Sequence, residues 1–151
     1  MESITVERTI AAPIEQVFDW FATTTNYQRT IWVLRARLAR PGQTAPYGVD
    51  AVRLHTWLIG WFRERITRYD APYSFDYVVD RSFPPSRHEF GGMTFAEVPG
   101  GTHVEWKSTF ELRIPLIGPV LTRWIARPTV THVFGKILDI GSADLVARSE
   151  V

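Results

Sequence analysis

Two hydrophobic periodicities meet in the sequence Ile4-Thr-Val-Glu-Arg-Thr-Ile-Ala-Ala-Pro-Ile-Glu-Gln-Val-Phe-Asp-Trp-Phe21. In its first part, Ile4, Val6 and Ile10 lie in one phase of a two-residue alternation, which is typical of a half-buried strand. Pro13 then suits the first turn of a helix. After it, apolar residues recur at spacings of three and four, at Ile14, Val17, Phe18 and Phe21. The chain therefore begins with a strand that passes directly into an amphipathic helix.

The two-residue alternation continues as far as Leu112 and predicts six more strands. They are placed at residues 32–38, 52–58, 61–69, 75–79, 87–98 and 104–112. The Gly91-Gly92 pair indicates a bulge or bend in the sixth strand of the chain. From Pro119 to about Arg148 the alternation gives way to a helical stripe. This predicts a long terminal helix, which Pro128 must kink or split because proline has no amide hydrogen.

The composition is that of one soluble globular domain spanning residues 1–151. Hydrophobic residues make up 45% of the chain and charged residues 22%, as in ordinary soluble proteins. The aromatic content is high, with six Trp, five Tyr and nine Phe. Rigid rings pack well in a core, but they also line apolar cavities, and the sequence leaves both interpretations open.

Several classes of function are disfavoured by charge and composition. The net charge of +1 provides no bulk attraction to nucleic acid, so we expect no nucleic-acid partner. The chain has no cysteine, and its four histidines lack the spacing of a metal-binding pair, so no metal site is expected. No glycine-rich phosphate loop joins a strand to a helix, and no cofactor is expected. Without a visible signal peptide or spanning segment, we expect a cytoplasmic protein with no stable membrane insertion.

Four local patterns resemble those of one known superfamily. They are Ile10-Ala-Ala-Pro-Ile-Glu-Gln-Val-Phe18, residues 26–32, Asp70-Ala-Pro-Tyr73 and Gly101-Thr-His-Val-Glu-Trp106. In this order and spacing they resemble the START-like (SRPBCC) superfamily, and in particular its bacterial polyketide cyclase/dehydrase-like branch. The usual acidic residue after the first helix is replaced here by Thr23-Thr24-Thr25.

The resemblance implies an α+β helix-grip fold. In this fold a seven-stranded antiparallel sheet curves around a long C-terminal helix, with short helices after the first strand. The superfamily shares a cavity between sheet and helix more than it shares a reaction. We therefore expect the protein to bind a hydrophobic or aromatic small molecule, such as a lipid or polyketide, in that cavity. The alternative is an aromatase/cyclase-like enzyme, in which an acid or base moves one proton on a folded reactive chain.

Alternation and the resemblance together select the side chains that are expected to line the cavity. They are Trp32, Leu34, Leu54, Thr56, Phe62, Glu64, Tyr77, His88, Phe90, Trp106, Phe110 and Trp124. For the three tryptophans and Phe110, the sequence does not separate a place in the cavity wall from a place in the core. Tyr77 supplies a hydroxyl that can orient a ligand carbonyl. Ser108 supplies another, but without an adjacent histidine and acid it is no hydrolase nucleophile.

Glu64 and His88 are the candidates for catalysis. Because a carboxylate in an apolar cavity loses hydration, the pKa of Glu64 is expected to be raised unless a basic partner keeps it charged. The structural interpretation of Glu64 is an ion pair with Arg8 or Arg68, or a side chain that points outward at a twisted strand end. His88 can act as an acid or base near neutral pH, or it can be satisfied locally within the sheet. If the superfamily's strand order holds, the strand of Tyr77 separates Glu64 from His88 by about 10 Å.

The opposite face of three strands is expected to be basic and aromatic. The alternation assigns to it Arg35, Arg37, Arg53, His55, Arg63 and Arg65, together with Trp57 and Trp61. Such a face suits an acidic partner, a phosphate or single-stranded nucleic acid, so an interaction module is the third hypothesis. A solvated arginine-rich surface is the simpler interpretation at a net charge of +1.

Overall fold

The computed structural model describes residues 1–150 and begins with the predicted strand and helix. The elements are β1 (Glu2–Ile10), α1 (Ile14–Ala22), a 3₁₀ helix (Thr24–Arg29), β2 (Val33–Arg40), β3 (Val52–Trp57), β4 (Gly60–Asp70), β5 (Ser74–Phe83), β6 (Ser86–Val98), β7 (Gly101–Leu112), α2 (Gly118–Leu121), a π-helical turn (Thr122–Ala126) and α3 (Arg127–Ser149). The predicted α+β helix-grip fold is confirmed.

The seven strands form one antiparallel sheet in the order β1-β7-β6-β5-β4-β3-β2. From β2 to β7 each strand pairs with the next one in the chain, and only β1 joins through a distant pairing, with Ile10 opposite Thr102. The helix α3 buries a row of apolar side chains against the inner face of this sheet, namely Val133, Phe134, Ile137, Leu138 and Leu145. An ion pair between Arg8 and Asp139, 2.9 Å long, also joins β1 to α3.

One end of the space between sheet and α3 is closed by α1. Phe18 makes edge-to-face contacts with Phe75 and Phe95, with ring centroids 5.8 and 5.1 Å apart. Trp20 is 1% exposed, and its Nε1 donates to Asp144 on α3 at 2.7 Å. The apolar stripe predicted for α1 therefore becomes an aromatic plug, and it leaves this end of the molecule densely packed.

The terminal helical stretch changes its hydrogen-bonding pattern at Pro128. The proline lies in the first turn of α3, directly after the π-helical turn at residues 122–126. Since proline has no N–H to donate, the regular pattern cannot run through it. The hydroxyl of Thr129 donates to the Ile125 carbonyl at 2.6 Å. The helical stretch is nevertheless continuous from Gly118 to Ser149, so Pro128 does not split it in two, and the π-helical turn lies just before the proline.

The predicted facing of β3 is wrong. Besides Val52 at its start, the buried side chains of this strand are Arg53, His55 and Trp57, at 2%, 2% and 6% exposure. The prediction placed these residues outside because the alternate positions, Leu54 and Leu58, are apolar. The pairing with β4 explains the reversal, since Arg53 lies opposite Glu64 and therefore shares its face of the sheet. The Arg53 guanidinium and the His55 ring of β3 thus enter the interior together with Glu64 of β4.

The predicted facing of β2 is also wrong at its start. A register shift between Val33 and Arg35 places Val33 and Ala36 inside, whereas Leu34 is 61% exposed. The alternation had assigned the even-numbered positions, including Leu34, to the inner face. A bulge of this kind moves every later side chain to the other face.

Candidate ligand-binding site

A cavity of about 290 Å³ lies between the inner face of the sheet and the start of α3. Most of its wall is apolar, built largely from Trp57, Ile59, Phe62, Val79, Trp106, Phe110, Leu112, Ile125 and Phe134. Polar side chains in the wall are few: Glu64, Tyr77, Ser86, His88, Ser108 and Thr129. An apolar wall with a small number of polar groups is the usual composition of a small-molecule site.

The cavity exists because the helical side of the wall carries short side chains. Ala126, Thr129 and Val130 face the sheet at this end, where one turn later Phe134 reaches across to Trp106. Those two rings stack with centroids 3.7 Å apart. Beyond Phe134, the large side chains of α3 fill the interior, so the empty space is confined to the first turns of the helix.

Tyr77 is fixed at the centre of the wall by its neighbours. Trp106 Nε1 donates to the Tyr77 hydroxyl at 2.8 Å. Gly91 lies opposite Tyr77 on β6, and a Cβ atom at Gly91 would come within 2.3 Å of the tyrosine ring. The sequence pattern interpreted the Gly91-Gly92 pair as a bulge, but the register shift of β6 lies between His88 and Phe90. Gly91 instead provides the room that the Tyr77 ring occupies.

His88 is held as a neutral hydrogen-bond donor. Its ring stacks on Tyr77 with centroids 5.7 Å apart. The backbone N–H of Val79 donates to His88 Nδ1 at 3.2 Å, so the ring proton lies on Nε2, which donates to Ser108 Oγ at 3.2 Å. Burial lowers the pKa of His88, and the Glu64 carboxylate opposes this effect only in part. Both ring nitrogens are therefore engaged, and neither is free to take a proton from a ligand.

Glu64 belongs to a buried cluster, the Arg53–Glu64–His55 triad. Arg53 Nη2 donates to Glu64 Oε1 at 2.8 Å, and His55 Nε2 lies 2.6 Å from the same oxygen. All three residues are buried, at 2%, 8% and 2% exposure. The guanidinium of Arg53 also lies over the rings of Phe75 and Tyr77, 5.4 and 5.2 Å from their centroids. The triad therefore contacts the cavity through Glu64 while Arg53 and His55 lie behind it.

The partners of Glu64 determine its charge. Burial alone raises the pKa of Glu64, but the Arg53 charge and the contact with His55 outweigh burial and lower this pKa to about 2. The predicted partners, Arg8 and Arg68, are wrong: Arg8 pairs with Asp139 instead. Glu64 is a carboxylate at neutral pH, so it accepts hydrogen bonds and has no proton to donate as a general acid. It follows that His55 Nε2 is the donor in its contact with Glu64.

The structure brings half of the predicted lining residues together in the cavity. Those that contact it are Phe62, Glu64, Tyr77, His88, Trp106 and Phe110. The strand order β4-β5-β6 also places Tyr77 between the strands of Glu64 and His88, as the superfamily's order implied. The residues that do not line the cavity are Trp32, Leu34, Leu54, Thr56, Phe90 and Trp124.

Each of these corrections has a local cause. Leu34 lies outside because of the register shift between Val33 and Arg35 at the start of β2, whereas Leu54 and Thr56 leave the inner face because the facing of β3 is reversed. Phe90, 40% exposed, follows the register shift after His88 and leaves the inner phase. Trp124 is 70% exposed on the outer side of the π-helical turn. Trp32 precedes β2 and packs edge-to-face on His132 of α3, with centroids 5.4 Å apart.

The sequence interpretation missed Arg53, His55 and Trp57 as interior residues. A signal for them was available in the hairpin between β3 and β4. Two residues, Leu58 and Ile59, separate Trp57 from Gly60, and a two-residue connection places Arg53 directly opposite Glu64. Opposite charges at facing positions of a hairpin indicate a shared face.

The predicted basic outer face is smaller than expected. Three of its members, Arg53, His55 and Trp57, lie in the interior. Of the arginines that remain outside, Arg63 lies 3.3 Å from Asp80 and Arg65 lies 3.7 Å from Asp50. With its central residues buried and two arginines paired with acids, this surface no longer supports the interaction-module hypothesis.

Two further features concern metal ions and membranes. Among residues 1–150, one group of potential metal ligands occurs, formed by Glu7, His103 and Glu105. His103 lies within hydrogen-bond distance of Glu7, at 3.0 Å, and Glu105 forms a 2.9 Å ion pair with Lys107, so ordinary side-chain contacts account for this group. No helix within residues 1–150 combines the length and the apolar character needed to cross a membrane.

The fold and the cavity define a helix-grip protein, and comparison with known families identifies the family to which it belongs. The model of the family described as polyketide cyclase / dehydrase and lipid transport matches residues 1–150. The chain belongs to this family, in agreement with the resemblance noted in its sequence. No curated protein matches the chain.

Solved structures share the fold over nearly the whole chain. The crystal structure of the protein TTHA0849 from Thermus thermophilus has a TM-score of 0.79 at 17% identity, covering 98% of this chain and 99% of that one. A START superfamily protein from Mycobacterium smegmatis has a TM-score of 0.74 at 12% identity, with coverages of 95% and 98%. The di-domain ARO/CYC StfQ of the steffimycin biosynthetic pathway has a TM-score of 0.66 at 18% identity, covering 97% of this chain and 46% of StfQ. At these identities the likeness concerns the fold alone.

Proposed function

We propose that this protein binds a hydrophobic or aromatic small molecule in the cavity between the sheet and α3. The observation that carries the proposal is the cavity of about 290 Å³ with its aromatic wall of Phe62, Trp106 and Phe110. Ligand pockets have volumes on the order of 300–1,000 Å³, so this cavity suits a small occupant. The family description, which includes lipid transport, supports an apolar ligand.

Packing considerations support the same proposal. Protein interiors contain few voids larger than a water molecule, because each void forfeits contacts between its wall atoms. Most of the wall is apolar, so water filling the whole cavity would lack hydrogen-bond partners over most of its boundary. An apolar molecule would restore the lost contacts, and its binding would stabilise the folded protein.

Binding is favoured over the cyclase-like alternative by the state of the two catalytic candidates. Glu64 is a carboxylate whose Oε1 already accepts from Arg53 and His55. His88 is neutral, and both of its ring nitrogens are engaged by Val79 and Ser108. Neither residue has the free proton or the free basic nitrogen that a proton-transfer step needs near neutral pH.

A fluorescence titration with N-phenyl-1-naphthylamine tests the proposal. This uncharged probe brightens in apolar surroundings, and we expect saturable binding to the purified protein. Ala126→Trp places a large ring in the cavity, and binding should be lost. Ala143→Trp is the matched control, because Ala143 is exposed on α3, and this variant should bind like the unsubstituted protein.

Two results would overturn the proposal. One is the absence of saturable binding to the unsubstituted protein, and the other is equal binding by the Ala126→Trp and Ala143→Trp variants. Native mass spectrometry of the purified protein adds an independent measurement, since a retained apolar molecule would appear as an added mass that Ala126→Trp removes.

A further inference from the structure

The polar groups in the cavity wall differ in which hydrogen-bond donors and acceptors they still have free for a ligand. The Thr129 hydroxyl hydrogen is used on the Ile125 carbonyl. Ser82 donates to the Pro84 carbonyl at 2.9 Å, so in its 2.8 Å contact with Ser86 the latter is the donor. The two nitrogens of His88 are both engaged. These groups offer a ligand little beyond a weak acceptor.

Glu64 differs from them because one of its oxygens has no protein partner. Arg53 and His55 both bind Oε1, and no hydrogen bond from residues 1–150 reaches Oε2. Glu64 is more than nine-tenths buried and lines the cavity. Its Oε2 atom has no hydrogen-bond partner within this range, but the protein does not enclose this atom completely. The open side of this carboxylate therefore faces the cavity, as a charged acceptor with capacity for a donor.

Two hydroxyls in the same wall have the complementary capacity. Tyr77 accepts from Trp106, and Ser108 accepts from His88, so the hydrogen of each hydroxyl is not used by these contacts. Tyr77 lies on β5 opposite Ile66, two residues from Glu64 along β4. A charged acceptor and two donors thus line one apolar cavity.

We propose that the cavity selects apolar ligands that carry an uncharged hydroxyl, which donates to Glu64 Oε2 and accepts from Tyr77 or Ser108. This inference rests on the proposed function. A hydroxyl can donate and accept at once, whereas an ether or ketone has no hydrogen for Glu64. A ligand carboxylate is an acceptor only and would add a second negative charge in an apolar space, where Glu64 repels it.

Calorimetric titration of the unsubstituted protein at pH 7 with three probes of one ring system tests the selection. The probes are 2-naphthol, 2-methoxynaphthalene and 2-naphthoate. A hydrogen bond to a charged acceptor favours 2-naphthol over its methyl ether by roughly tenfold or more in Kd. We expect 2-naphthoate to bind more weakly than 2-methoxynaphthalene. Equal affinities for 2-naphthol and 2-methoxynaphthalene, or tightest binding of 2-naphthoate, would overturn the inference.

Glu64→Gln provides a second arm. The amide oxygen can replace Oε1 toward Arg53 and His55, and the amide nitrogen then presents donors to the cavity. The preference for 2-naphthol should shrink to less than about threefold, because the charged acceptor is gone. Glu97→Gln is the matched control, since Glu97 is exposed, and it should keep the full preference. An unchanged preference in folded Glu64→Gln, verified by circular dichroism, would contradict the role of Oε2.

The outcomes separate this inference from the proposed function. If N-phenyl-1-naphthylamine and all three naphthalene probes fail to bind, the proposed function is wrong. If 2-methoxynaphthalene binds in an Ala126→Trp-sensitive manner and 2-naphthol binds no better, only the hydroxyl selection is wrong. If Glu64→Gln does not fold, the three-probe series on the unsubstituted protein decides the inference alone.

Discussion

The two ends of the space between sheet and terminal helix are built differently. At one end, α1 presses Phe18 and Phe21 against the aromatic side chains of the sheet, and both are almost fully buried. At the other end, only the first turns of α3 cover the sheet, and a cavity of about 290 Å³ remains. The Arg53–Glu64–His55 triad lies at the boundary, because Arg53 lies over Phe75 of the packed end and over Tyr77 of the cavity.

The two ends of the fold therefore differ in how much they contribute to stability and in whether they leave room for a ligand. Dense aromatic packing supplies most of the stabilisation at the α1 end, where each buried ring removes a large apolar area from water. The cavity end lacks this stabilisation, but it leaves a space that a ligand can occupy. The triad gives the boundary a polar character, since Arg53 and His55 both bind Glu64 Oε1 there. Variants placed at the two ends and at the boundary can test this difference.

The largest difference is expected between Phe21→Ala and Phe62→Ala. Phe21 is fully buried in the packed end, and its truncation should lower the free energy of unfolding by about 3–5 kcal/mol. Phe62 is half-buried against an existing cavity, so its truncation should cost about 1–2 kcal/mol. Urea denaturation measures both values. Equal losses would show that the two ends contribute equally to stability.

Low pH should reduce the free energy of unfolding through protonation of Glu64, which lies at the boundary between the two ends. In the folded protein the pKa of Glu64 falls from its ordinary value of 4.5 to about 2. A lowered carboxyl pKa contributes stability above pH 4.5, and that contribution is lost as the pH falls toward 2. The expected loss is about 3 kcal/mol, which urea denaturation at pH 5 and at low pH would measure.

The double substitution Arg53→Leu with Glu64→Leu is the control for this acid effect. It removes both charges together, so stability at pH 7 should change little, whereas Glu64→Leu alone should cost about 3–5 kcal/mol by leaving Arg53 unpaired. The double variant should also lose less stability in acid than the unsubstituted protein. Identical acid profiles for the two proteins would exclude Glu64 as the source.

Two glycines of α3 provide a matched pair with an intermediate effect. A Cβ atom at Gly141 would lie 2.6 Å from Phe21 and 3.0 Å from Trp20, so Gly141→Ala should cost about 1–3 kcal/mol by overpacking. At Gly135 the nearest atom is the flexible end of Arg8, 3.1 Å away. Gly135→Ala should therefore be neutral or stabilise by up to about 1 kcal/mol through helix propensity. Thermal unfolding that ranks the two variants in the opposite order would contradict close packing between α1 and α3.

The smallest expected effect concerns His88 at the cavity end. Burial lowers the pKa of His88 below its ordinary 6.5. The unfolded chain therefore takes up a proton below pH 6.5 that the folded protein resists, and stability falls as the pH drops through this range. Comparing unfolding free energies at pH 7 and pH 5, we expect a smaller decrease for His88→Gln than for the unsubstituted protein. Equal decreases would assign the effect to other groups.

Much of the fold was predictable because it follows from local patterns. Period-two alternation located the strands, Pro13 located the start of α1, and the loss of alternation after Pro119 located the terminal helix. Within the candidate site, Phe62, Glu64 and Tyr77 were placed correctly because the side chains of β4 and β5 keep their two-residue alternation there, although the pairing of the two strands shifts register between Arg63 and Glu64. His88 lined the cavity as predicted, but Phe90 did not, because the register shift between them is invisible to alternation.

The helix-grip fold was implied by the resemblance to the START-like superfamily. By itself, the sequence determined the order of the elements and the side chains of β4 that face inward. These depend on periodicity and on turn residues, which are properties of neighbouring positions in the chain. Only the tertiary structure decided that β3 turns Arg53 and His55 into the interior and that Glu64 is consequently a carboxylate. The facing of a strand and the charge of a buried acid depend on the partner across the sheet, and the energy of burying two charges becomes acceptable only when that partner is in place.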